Sequence, residues 1–125
     1  MSPADDATTD DVTADLDPED NKIVVLARST RARIGAAEGA AVRDTDGRTY
    51  AAATVELGAL KLTALQAAVA AAVSSGAPGL EAAAVVSNDG RDADDDSVAA
   101  VRELGPTAPV LLADSGGQLR TVLRP

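Results

Sequence analysis

Residues 62–75, Leu-Thr-Ala-Leu-Gln-Ala-Ala-Val-Ala-Ala-Ala-Val-Ser-Ser, carry no charge and are apolar almost all the way round a helix. A helix with no polar face has to be buried, so this one is predicted to be central. Gly76 follows it, the residue type expected just past a helix C-terminus. Pro78-Gly79 then breaks the chain before Leu80-Glu81-Ala82-Ala83-Ala84-Val85-Val86, which reads as a strand.

Whatever surrounds that helix is built from small side chains. Phe and Trp are absent, Tyr50 is the only aromatic, and the 46% of hydrophobic residues is mostly Ala, Val and Leu. Each of these buries little area, at roughly 25 cal/mol per Å². A chain of 125 residues therefore makes one domain with a modest core, which association with other subunits would reinforce.

The flanking elements follow from local signals. Asp17-Pro18-Glu19-Asp20 supplies an N-cap, a proline suited to the first helical position and acidic groups facing the helix dipole. The helix it starts runs to about Arg33, with Ile23, Val24, Leu26 and Ala27 as its buried face and Arg28, Arg31 and Arg33 near its C-terminal end. Those arginines complement the dipole, and an anion site is the alternative reading.

Residues 37–56 read as a β-hairpin turning at Asp44-Thr45-Asp46-Gly47, because the turn lies between two apolar runs. A calcium loop would need further oxygen ligands and a closing Glu, which are missing. The polar run 88–96 leads into a helix near residues 97–104, with Asp94, Asp95 and Asp96 at its start and Gly105-Pro106 at its end. Residues 92–96 cap that helix, with hard-cation binding as the alternative. Two strands, 109–113 and 118–123, are joined by Asp114-Ser115-Gly116-Gly117. Helix, two strands, helix, strand, helix, strand, strand is the order of an α/β fold with a mixed sheet covered by helices.

The formal charge of -9 is concentrated at one end of the chain. Residues 1–20 hold eight acidic groups and no basic one, whereas the rest holds twelve acidic against eleven basic. The first sixteen residues also carry almost no large apolar side chain, so they are predicted to be a disordered acidic tail ahead of a domain at 17–125. A near-neutral domain with an acidic arm gives no support to nucleic-acid binding. No apolar run reaches the roughly 18 residues of a membrane span, and the first residues lack the basic and apolar regions of a signal peptide. A soluble, cytoplasmic protein is expected.

Cysteine and histidine are both absent. That excludes disulfides, thiolate chemistry and a serine or threonine nucleophile activated by histidine. Lys22 and Lys61 stand isolated, and Gly35, Gly39 and Gly47 lack the spacing of a phosphate loop.

Several short stretches over residues 20–125 resemble the cytidine deaminase family. Glu38-Gly39-Ala40-Ala41-Val42 followed by Asp46-Gly47-Arg48 is similar to that family's Val-Gly-Ala-Ala-Leu hairpin and Asp-Gly turn. Thr54-Val55-Glu56 resembles its Asn-Val-Glu, and residues 63–76 resemble its Cys-Ala-Glu through Ala-Val-Ser-x-Gly. Arg102-Glu103-Leu104 and Pro109-Val110-Leu111-Leu112 look like the helix and strand after its second cysteine pair. The resemblance implies a three-layer fold with about five strands and helices on both faces. It also implies a homo-oligomer, tetramer or dimer, in which the alanine-rich helices meet.

The same resemblance implies a zinc ion held by one His or Cys and two Cys, with a Glu shuttling protons. Here Thr63 stands at the first ligand, Leu65 at the Glu, and Asp94 and Ser97 at the cysteine pair. Ala36 stands where the family places a Phe against the pyrimidine. No catalytic residue, metal ligand or cofactor is therefore expected. Glu56 alone matches a binding residue in type, and it is either a remnant ribose contact or a solvated carboxylate beside Thr54. The reading is a cytidine deaminase-like protein that has lost its activity and serves as a non-catalytic oligomeric or interaction module. Alternatives are a nucleoside-binding protein with a vestigial pocket, or an active cytidine deaminase-type hydrolase.

Overall fold

A computed structural model describes residues 16–125, and the predicted acidic tail lies outside them except for Leu16. Five strands form one sheet in the order β2-β1-β5-β6-β7. These are β1 (Gly39–Asp44), β2 (Thr49–Ala53), β5 (Leu80–Val86), β6 (Val110–Ala113) and β7 (Leu119–Leu123). The β5–β6 pair is parallel and the other pairs are antiparallel, so the sheet is mixed. The helices are α1 (Pro18–Ile34), α2 (Ala64–Ser74) and α3 (Asp95–Leu104), the last forming the crossover between the parallel strands.

Alternation along the strands sends side chains to two cores. Ala41, Ala82, Ala84, Val86 and Leu111 face α1 and meet Ile23, Val24 and Ala27. Ala40, Val42, Ala83, Val85, Val110 and Leu112 face the other way, against Leu65, Ala68 and Val69 of α2 and Val101 of α3. The result is three layers, helix on sheet on helices, as expected from the element order. Small side chains let α1 come close: a Cβ added at Gly39 would lie 2.1 Å from the Ala27 carbonyl oxygen.

Two expectations need correction. Residues 62–75 do not form a central helix in the single chain. Ala64, Leu65, Ala68, Val69 and Ala72 are buried, while Ala70 is exposed and Val73 is 50% exposed. Alanine misled because it favours helix as strongly as it favours burial, so a lack of charge does not by itself mean burial all round. The second strand of the hairpin also ends early, at Ala53. Val55–Glu56 (β3) pairs instead with Lys61–Leu62 (β4) in a separate two-stranded sheet.

Two turns share one device. The Asp44 carboxylate accepts N–H groups of Asp46 and Arg48, each at 2.9 Å, and the Tyr50 hydroxyl at 2.7 Å. Asp114 accepts N–H groups of Gly116 and Gln118, each at 3.0 Å, and Nε of Arg120 at 2.9 Å. Burial works to raise the Asp44 carboxyl, but these donors outweigh it and hold it below its ordinary 3.8. Asp114 is likewise lowered, chiefly by the Gln118 N–H.

A carboxyl depressed by folding contributes stability above its unfolded value and loses it as pH falls through the folded one. Thermal melting is therefore expected to fall away below about pH 4, with Asp44→Asn flattening that acid limb. An acid limb equally steep in the variant would show that Asp44 plays no part in it.

Candidate functional site

The register brings one end of the sheet together. Gly39 pairs with Ala53 on one side and Val86 on the other, so Glu38, Thr54 and Ser87 emerge at the same edge. The Thr54 hydroxyl accepts the Glu38 N–H at 3.0 Å, and the Thr54 N–H donates to the Glu38 carbonyl at 3.2 Å. Beyond this edge stands the small sheet, with Glu56 opposite Lys61 and a turn closed by the Leu57 N–H to the Leu60 carbonyl at 2.9 Å.

Two helices begin at this edge. Thr63 caps α2, its hydroxyl accepting the Gln66 N–H at 3.1 Å while Gln66 Oε1 accepts the Thr63 N–H at 3.0 Å. Asp94 caps α3, with Oδ2 accepting from both N and Oγ of Ser97 at 3.1 Å. The two N-termini touch through side chains, because Thr63 Oγ1 lies 2.6 Å from Ser97 Oγ.

A cavity of about 480 Å³ opens between these elements, a size suited to a small molecule. Among the described residues its walls carry the carboxylates of Glu38, Glu56, Asp94 and Asp96 against the single cation Lys61. That balance repels anions. Beneath it lies a void of about 10 Å³, walled by Leu65, Val85 and Ser97 and sharing Glu38, Thr63 and Asp94 with the larger space.

The model of the family described as cytidine deaminase-like matches residues 16–117. The chain belongs to that family. Solved structures agree on the fold of this cytidine deaminase-like protein. The cytidine deaminase from Burkholderia pseudomallei is 24% identical over 83% of this chain and 91% of that one, with a TM-score of 0.73. The enzyme from Mycobacterium leprae is 20% identical over 83% and 91%, at 0.65, and that from Mycobacterium tuberculosis 24% over 80% and 93%, at 0.64. These identities establish a common fold and no more. No curated protein matches the chain.

The deaminase resemblance implies zinc at the junction of α2 and α3, and the side chains there do not fit it. Zinc is held in a tight tetrahedral shell, preferring nitrogen and sulfur donors. Thr63, Leu65, Asp94 and Ser97 do come together here, but they offer two hydroxyls already bonded to each other, one capping carboxylate and one hydrocarbon. Among the described residues no three His, Cys, Asp or Glu side chains group as a metal site.

The other predicted residues divide. Glu56 stands on the wall of the large cavity. Thr54 lines it too, although its hydroxyl is occupied by Glu38. Ala36 is replaced in the lining by its neighbour Ala37. None of Arg28, Arg31 and Arg33 lines the cavity, and Arg31 Nε donates to the Ala37 carbonyl at 3.0 Å. The roles of Lys61 and Gln66 were not anticipated. For Gln66 a signal existed, since Thr63-x-x-Gln66 is a capping box ahead of an apolar run.

Proposed function

We propose that this cytidine deaminase-like protein has lost deaminase activity and acts as a non-catalytic, homo-oligomeric module. One observation carries the reading: the meeting point of the two helix N-termini holds Thr63, Leu65, Asp94 and Ser97, with a single carboxylate, no nitrogen or sulfur donor among them, and no proton carrier at the position of Leu65. General acid–base transfer contributes typically 10²–10⁴-fold to such reactions, and Leu65 can supply none of it.

The oligomer is supported by α2, whose outer side presents Ala70, Val73 and Ser74 with no charged side chain along the whole helix. A second copy, in dimer or tetramer, would cover that face and add to a core short of large side chains. Purified protein is expected to elute and scatter light as an oligomer at micromolar concentration, and Val73→Glu to shift it toward monomer. It is expected to release no ammonia from cytidine. A wild-type monomer removes the assembly role, and ammonia release with stoichiometric zinc removes the pseudoenzyme.

A second reading is supported by the cavity of about 480 Å³ with Glu56 on its wall: a nucleoside bound there would donate a ribose hydroxyl to that carboxylate. Its carboxylates select against phosphates, so nucleosides and not nucleotides are the ligands to test. A rise in melting temperature with a nucleoside, reduced in Glu56→Gln, supports this reading. No shift with any nucleoside near a millimolar removes it.

A further inference from the structure

We infer that Thr63, Ser97 and Asp94 form a metal-free clamp that holds the N-termini of α2 and α3 together. This rests on the reading that the deaminase chemistry has been lost, and it gives those positions a present task.

Proton counting sets the direction of the chain. Each hydroxyl has one proton to donate. Ser97 Oγ donates to Asp94 Oδ2 at 3.1 Å, so in its 2.6 Å contact with Thr63 it is the acceptor and Thr63 Oγ1 the donor. Thr63 Oγ1 in turn accepts the Gln66 N–H at 3.1 Å. An unbroken series therefore runs from a first-turn amide of α2, through two hydroxyls, to the capping carboxylate of α3. Bonds in such a series polarise one another, and the last is strengthened by the charge of its acceptor.

Electrostatics favours this arrangement over a cation. Each helix N-terminus carries roughly half a positive charge, and two of them meet here. A metal ion at their junction needs anionic ligands to offset both, and among the described residues Asp94 is the single carboxylate hydrogen-bonded there. Space limits the site in another way, since a catalytic metal ion also needs room for the water it would activate. The void of about 10 Å³ takes at most about one water, and Leu65 and Val85 wall it with hydrocarbon. Ser97 is 1% exposed, so its hydroxyl depends on these partners.

The clamp predicts coupling between two helices distant in sequence. In equilibrium unfolding, Thr63→Val and Ser97→Ala are each expected to raise the unfolding constant about tenfold. The double variant should cost clearly less than the product, because both changes remove the same contact. Additive effects would overturn the clamp. Should the double variant not fold, amide exchange in Ser97→Ala decides. Faster exchange at Gln66, on the other helix, supports the clamp, and acceleration confined to α3 overturns it. Chelator is expected to leave the wild-type melting temperature unchanged, and stoichiometric zinc in the purified protein would overturn the clamp. Ammonia release from cytidine by the wild type tests the underlying reading by itself: additive substitutions without ammonia remove the clamp and leave that reading standing.

Discussion

Gly39→Ala is expected to destabilise the domain by about 3 kcal/mol or more, out of the roughly 5–15 kcal/mol typical of a folded domain. The added Cβ would sit 2.1 Å from the Ala27 carbonyl oxygen and 2.8 Å from both the Cβ and the backbone nitrogen of Arg31. These are mostly backbone atoms of a regular helix, and no rotamer change moves them aside. Relief requires α1 to lift from β1, which opens the core formed by Ile23, Val24, Ala27 and the Ala41 face of the sheet. Gly58→Ala is the control, since nothing lies within 4 Å of the position its Cβ would take and its φ is ordinary. It is expected to stay within about 0.5 kcal/mol of the parent in urea unfolding. Equal midpoints for the two variants would show that α1 is not held at the close distance Gly39 permits.

Gly39 also illustrates which parts of the fold were legible in the sequence. Its place in a strand could be read from the pattern around the Asp44-Thr45-Asp46-Gly47 turn, but the helix crossing above it could not, because that contact joins separate elements. Elements marked by local chemistry were read well. Asp17-Pro18 starts α1 and Asp94 caps α3 in the structure, and the strand predicted at residues 80–86 is Leu80–Val86. Elements with weak local signals were lost. The two-residue strands β3 and β4 are too short to show alternation.

The site was legible by a different route. Thr63 and Ser97 touch across 34 positions, which no periodicity reveals. Their proximity is implied by the family resemblance, whereas their hydrogen bond depends on two hydroxyls from separate helices meeting at 2.6 Å, which no local pattern encodes. The size and acidity of the cavity were hidden for the same reason. Glu38 precedes β1, Glu56 is on β3, and Asp94 and Asp96 are at the start of α3, so they converge only where the sheet edge meets the helix N-termini.

Placing a carboxylate where the deaminase resemblance puts one gives the second large effect. Leu65→Glu is expected to cost about 3 kcal/mol or more near neutral pH, because it puts a charge without a partner into a core. Leu65 is 1% exposed and packs in the core cluster on the α2 side of the sheet, and the hydroxyls nearest to it are already engaged. The charged form of the new carboxyl is the one penalised, so its folded-state pKa rises above the unfolded value of about 4.3. The penalty is therefore smallest below that unfolded value and grows as pH rises, until the folded pKa is passed and the full cost is reached. Urea unfolding at about pH 5 and about pH 8 should show a smaller loss of stability at the lower pH. Leu65→Gln should lose stability by nearly the same amount at both, since it has nothing to titrate. A Leu65→Glu variant as stable as the parent at the higher pH would mean that water already reaches this position, and a pocket open to water there would leave room for the chemistry that a hydrocarbon plug excludes.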